Sequence, residues 1–143
     1  MMVTTADIEA LLTSPGRWAV VGLSRNQDRP AHGGAAYLRS LGHTTVPVHP
    51  RCEEVAGEPG VPDLASVEGP IDVVDLFVNS ERIGPIIDQA IALRVPVFWL
   101  QLGVHDEAAE ARAHAAGITV VSDTCPAIEG RRLGLPRPVQ DDG

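Results

Sequence analysis

Five short apolar runs, separated by longer segments of helical period, constrain this chain more than any other feature of its sequence. The runs are Trp18–Leu23, His43–Val48, Ile71–Val78, Val95–Leu100 and Ile118–Ser122. None alternates cleanly between apolar and polar residues, so each reads as a strand buried on both faces, as in a parallel sheet covered by helices. The intervening helices are expected from Thr5 or Asp7 as cap to Leu12, from Gly33 to Leu41, from Ser80 to Leu93, from Asp106 to Ala116, and near Pro126 to Arg132. A short helix is also expected near Leu64, after a Gly/Pro-rich excursion over Cys52–Pro62. Right-handed crossovers then favour a doubly wound α/β fold of three layers, with strand order 3-2-1-4-5. In that order the crevice lies above strands 1 and 4, lined by the loops after Leu23 and Leu100 and flanked by those after Val48 and Val78.

The 143 residues fit one domain. It is expected over residues 1–135, with 136–143 as a flexible tail. Hydrophobic residues make up 44% and charged residues 21%, and no apolar run approaches the roughly 20 residues of a membrane span. The N-terminus, Met-Met-Val-Thr-Thr-Ala-Asp, has neither the basic region nor the apolar core of a secretory signal, so a cytoplasmic location is expected. Cys52 and Cys125 are then expected as free thiols. A formal net charge of −8 argues against nucleic acid or an anionic membrane as partner. It does not argue against a phosphorylated small molecule, because a few local arginines and aligned amides set the potential of a pocket.

The first strand opens at Gly22 into the polar loop Arg25-Asn-Gln-Asp-Arg29. A nicotinamide dinucleotide requires G-x-G-x-x-G there and an acid about 20 residues on. Counting from Gly22, Ser24 and Gln27 replace the second and third glycines, and the second strand closes in Val48-His49-Pro50 with no carboxylate. No histidine pair or HExxH motif marks a metal centre.

Several separate motifs nevertheless occur in a recognisable order: Val20-Val-Gly-Leu-Ser24 with Asp28-Arg-Pro30, Val46-Pro-Val-His-Pro50, Ile71-Asp-Val-Val-Asp-Leu-Phe77 with Asn79-Ser-Glu81, Trp99-Leu-Gln-Leu-Gly-Val104, and Asp123-Thr-Cys-Pro-Ala-Ile-Glu129. From about Ile8 to Leu135 the chain resembles the small stand-alone CoA-binding proteins, which are similar to the N-terminal domain of the succinyl-CoA synthetase alpha subunit. The resemblance implies a Rossmann-like fold that binds coenzyme A, free or acylated, across these loops. No catalytic residue is expected beyond Cys125 as a candidate thiol, and a protein partner is left open.

The residue types suit that ligand. The backbone of Gly22, Leu23 and Ser24, followed by a helix N-terminus, offers amides to a pyrophosphate, and Ser24 adds a hydroxyl. Arg25, Arg29 and Arg51 offer charge-assisted bonds to phosphate, or are solvated loop arginines. Arg51 matches in position a phosphate-binding lysine of the synthetase. Pro47 and Pro50 stiffen the turn after the second strand, where Val46 and Val48 are expected to support an adenine by apolar contact and His49 either bonds the ligand or lies on the surface. Phe77, Val78 and Ser80 end the third strand, although Ser80 also reads as a helix N-cap. Gln101 and Gly103 offer polar groups and close backbone approach to an amide-rich arm. Gly33 and Gly34 are expected to open two further amides. Val78 and Thr124 stand where relatives often carry arginine, which implies weaker binding by ten- to several-hundredfold if each lost bond is worth roughly 1.5 to 3 kcal/mol. Cys125 is the one suggestive nucleophile, either a thiol activated by the following helix or a packing cysteine. An enzyme, linked to NAD(P) or to CoA-thiol redox through Cys125, and a scaffold with a decayed site remain alternatives.

Overall fold

In a computed structural model of the protein, residues 3–135 are described; the expected tail over 136–143 lies outside them. The elements run α1 (Thr5–Thr13), β1 (Arg17–Val21), α2 (Pro30–Ser40), β2 (Thr44–Val48), β3 (Val73–Leu76), α3 (Ile83–Ala92), β4 (Val97–Leu100), α4 (Glu107–Ala115), β5 (Thr119–Val121) and α5 (Pro126–Arg132). Thr4, one residue before the expected caps, starts α1 in a reciprocal capping box with Asp7. Helix α2 starts three residues before the expected Gly33, because Pro30 at its first position presets the helical φ.

All five strands are parallel, but their order is 2-1-3-4-5 rather than the expected 3-2-1-4-5. The cause lies in the excursion after β2. It folds back so that Val61 bridges the outer edge of β2, with Val61 N–H donating to Pro47 O at 3.0 Å and His49 N–H donating to Val61 O at 2.9 Å. The place a third strand would take beside β2 is thereby filled. Strand β3 instead pairs with the other edge of β1, Trp18 with Val73 through Val21 with Leu76. Proline inside β2 fits this edge position, where fewer ladder bonds are required.

Strand parity sends side chains into two cores. Ala19, Val21, Val74, Leu76, Phe98, Leu100 and Val120 meet Ile83, Ile87 and Ala90 of α3 and Ala109 and Ala113 of α4. Trp18, Val20, Val73, Val97, Trp99 and Val121 meet Leu12 of α1 and Ala31, Ala35 and Leu38 of α2, and α5 packs against α1 and α2 on the same face. Both tryptophans are buried there, 5.5 Å apart between ring centroids, so Trp99 is core as its strand position implied.

Candidate functional site

The strand order moves the switch point. Chain winding reverses between β1 and β3, so in an open parallel sheet the ligand crevice lies above their carboxyl ends rather than above β1 and β4. The loops there are hydrogen-bonded into two groups. On one side, the loop after β1 is tied to the loop after β2: Arg25 N–H donates to Glu53 Oε1 at 3.3 Å and Arg25 Nε to Glu54 O at 2.9 Å. On the other, the loops after β3, β4 and β5 are joined: His105 N–H donates to Ser80 Oγ at 3.0 Å, and Gly103 N–H to Asp123 Oδ1 at 3.1 Å. The seam between the groups runs along the switch point. Gly22 and Phe77 close its floor, for a Cβ on Gly22 would sit 2.5 Å from Phe77 O, and the Gly22 φ of +102° suits glycine alone.

Several expected contacts are already engaged. Gly22 N–H continues the ladder to Val48 O at 2.8 Å, and Leu23 N–H closes a turn on Val20 O at 3.4 Å. These two amides are therefore not free for a phosphate. Ser24 is buried, and its Oγ accepts from Asn26 N–H at 3.2 Å. Leu23 and Val48 are core side chains, so Val48 turns no apolar face to an adenine. Gly33 and Gly34 lie within α2, where helical bonding takes up their amides. Gly34 has a different reason to be glycine, since a Cβ would come within 2.6 Å of Phe77 Cζ. Ser80 does not cap α3; it opens a one-turn 3-10 helix, Ser80–Arg82, and its hydroxyl serves the loop after β4 instead.

Two arginines on the loops of the β1/β2 side are open to solvent. Arg29 is the exposed N-cap residue of α2, and the helix has no side-chain cap; Arg29 N–H donates to Asn26 O at 3.2 Å, Pro30 has no N–H and His32 N–H donates to Arg29 O at 3.1 Å, which leaves the Ala31 amide of the first turn. Arg51 is exposed after β2, and its amide donates to His49 Nδ1 at 3.1 Å. Neither arginine forms an ion pair among the described residues. Pro50 is exposed between β2 and Arg51, His49 before it is half-buried, Pro47 is buried within β2, and Val78 is half-buried beyond β3. Cys125 is a half-buried free thiol before the seven-residue α5, and Cys52 is free and exposed. Among the described residues no group of His, Cys, Asp and Glu is arranged to hold a metal.

Beneath the seam lies a pair that the residue-type reasoning passed over. Asp75 of β3 is wholly buried, and Gln101, just beyond β4, donates Nε2–H to its Oδ1. Burial pushes the Asp75 carboxyl up to about 7, and the Gln101 bond draws it back in part. The signal was available: an acid in the middle of Val73-Val-Asp-Leu76 does not suit a strand buried on both faces.

A cavity of about 820 Å³ lies at the opposite end of the sheet, lined by Leu11, Trp18, Val73, Val97, Ile118 and Val120 among others. None of the expected site residues borders it.

Comparison with known proteins places this geometry in context. The family described as CoA binding domain matches residues 16–131. YneT of Bacillus subtilis, an uncharacterised protein, is 35% identical over 120 residues, 84% of this chain and 89% of its own. A Thermus thermophilus structure, cell-free ID.343, superposes with a TM-score of 0.85 at 34% identity, covering 91% of this chain and 98% of that one. A dinucleotide-forming acetyl-coenzyme A synthetase of Ca. Korarchaeum cryptofilum, in complex with phosphate and ADP, aligns over 80% of this chain and 26% of its own, with a TM-score of 0.66 and 25% identity.

Proposed function

The chain belongs to the CoA binding domain family, and on that premise we propose that it binds coenzyme A or an acyl-CoA in the seam between β1 and β3, without transforming it. The family match carries the reading, and the seam supplies a location with the right chemistry. The pyrophosphate is assigned to the uncapped N-terminus of α2 together with Arg29, where a partial positive charge and a guanidinium meet one anion. Arg51 is assigned to the ribose 3′-phosphate. The pantetheine arm runs over Gly22 and Phe77 toward Gln101, because those residues floor the seam and its β4 side.

Thermal denaturation with a ligand panel tests this. CoA and acetyl-CoA at a hundred times their dissociation constants should each add about 2.7 kcal/mol to stability, whereas NADH should not. Dephospho-CoA should bind more weakly than CoA in the wild type and equally in Arg51→Ala. Arg29→Ala should weaken CoA by roughly ten- to a hundredfold, the worth of a charge-assisted bond. Acetyl-CoA should be recovered intact after incubation. Absence of any shift with millimolar CoA overturns the reading.

A further inference from the structure

Asp75 and Gln101 determine more than the packing beneath the seam. Asp75 lies between Val20 of β1 and Trp99 of β4 in the sheet register, and none of its surface is exposed. Its Oδ1 accepts the Gln101 amide, while its Oδ2 has no partner. Gln101 retains 9% exposure, and no described residue donates to its Oε1. A carboxamide has a donor end and an acceptor end that are nearly identical in shape, so its orientation is set by whichever neighbour bonds it. Here the neighbour is a carboxyl group held in the sheet.

Nothing else on that face competes for the role. Of the titratable groups on the elements packed there, Asp7 is bonded to Thr4, Arg39 to Thr45 Oγ1, and His43 to Gly16 N–H and Leu12 O. Glu129 pairs with Arg132, and the buried Tyr37 hydroxyl has no partner. The remaining groups, Glu9 of α1, Arg29 and His32 at the start of α2, Cys125 and Arg131 at α5 and Arg17 at the far end of β1, form no bond to Asp75. A buried polar atom without a partner is costly enough to mark a place where something else binds or where orientation matters.

We propose that Asp75 is a positioning residue for the ligand: it holds the Gln101 amide nitrogen inward, so that Gln101 Oε1 is presented as an acceptor for a ligand N–H, such as a secondary amide of the pantetheine arm. The proposal rests on the CoA reading for the identity of the ligand, but not for the orientation of the pair.

Two measurements separate those parts. In the ligand-free protein, the Gln101 side-chain amide signals in a nitrogen-15 NMR spectrum should shift as pH passes through about 7 and should stop doing so in Asp75→Asn. A Gln101 amide insensitive to pH and to Asp75→Asn overturns the orientation. By calorimetry, CoA should bind Asp75→Leu at least tenfold more weakly than wild type. The reciprocal double variant Asp75→Asn/Gln101→Glu should return to within threefold of wild type, since the carboxamide introduced on β3 then donates to one oxygen of the carboxylate introduced beyond β4 and leaves the other facing the ligand. Equal affinity for Asp75→Leu and wild type overturns the proposal, and so does a double variant that folds but binds no better than Asp75→Leu. If Asp75→Leu fails to fold, the double variant alone decides. If wild type binds no CoA, the ligand part falls with that reading, and the NMR titration still judges the pair.

Discussion

The two faces of the sheet are built from the same strands and differ in what they bury. The α3/α4 face is apolar throughout, with Val21, Leu76, Phe98 and Leu100 against Ile83, Ile87 and small alanines. The face covered by α1, α2 and α5 carries both tryptophans but also Asp75, Gln101, Thr45 and His43, all buried. Most of these polar groups are tied to a neighbouring element: Thr45 Oγ1 accepts from Arg39 of α2 at 3.1 Å, and His43 joins Gly16 N–H to Leu12 O of α1. Polar burial fixes orientation at some loss of stability, whereas apolar burial does the reverse. One face therefore acts as scaffold, and the other orients its elements, through His43 and Thr45 at the amino ends of the strands and through Asp75 and Gln101 beneath the seam.

The largest effect should come from the scaffold. Phe98→Ala removes a ring with no exposed surface and should cost about 3 to 5 kcal/mol in urea unfolding, by the same amount at pH 5 and pH 8. Asp75 should behave in the opposite way. Its folded carboxyl titrates at about 7, above the unfolded value near 3.9, so the folded state holds the proton more tightly. Its protonated form is fully stabilising below pH 4 and loses that advantage as pH rises through 7. At about 1.4 kcal/mol per pH unit, tapering as the folded group begins to ionise, the wild type should lose roughly 2 kcal/mol between pH 5 and 7 from this group. Asp75→Asn should remove that slope. A slope that persists in the variant would assign it elsewhere and erase the contrast between the faces.

These two sites also show what the sequence could and could not reveal. Periodicity and punctuation located all five strands and α5, because a two-faced apolar run bounded by Gly or Pro has few alternatives. Strand order was not legible in the same way. It depends on Val61 reaching the free edge of β2, a contact between segments that no local pattern encodes, although Pro47 pointed to an edge. Residue types singled out Arg29 and Arg51, which form no ion pair among the described residues. They failed at Gly22 and Leu23, whose amides the fold spends on Val48 and Val20. Gly34 was read as an opened amide, and its real constraint is the Phe77 ring. Such absences of space are set by tertiary packing and leave no mark on local sequence.

Smaller effects refine the comparison. Gly34→Ala places a methyl where Phe77 Cζ lies 2.6 Å away, so the ring must swing or α2 must shift. That overpacking should cost about 1 to 3 kcal/mol and should weaken CoA as well, because the same ring floors the seam. A loss of stability with unchanged CoA affinity would separate Phe77 from the ligand.

The smallest effect should lie on the outside of the scaffold face, where Arg112 of α4 bonds Asp88 of α3 through Nε at 3.1 Å. The pair bridges two helices and resembles a clasp, but both side chains are about half exposed, at 47% and 60%. Water screens the attraction, and holding two flexible side chains in register offsets most of what remains. The helices are joined chiefly by Ile83, Ile87 and Ala90 meeting Ala109 and Ala113 beneath them. Arg112→Ala should therefore cost about 0.2 to 1 kcal/mol, less still at 1 M salt, and should leave CoA affinity unchanged because α4 packs on the face away from Asp75 and Gln101. A loss comparable to that of Phe98→Ala would mean that charge as well as apolar contact holds the scaffold, and the division of labour between the two faces would have to be redrawn.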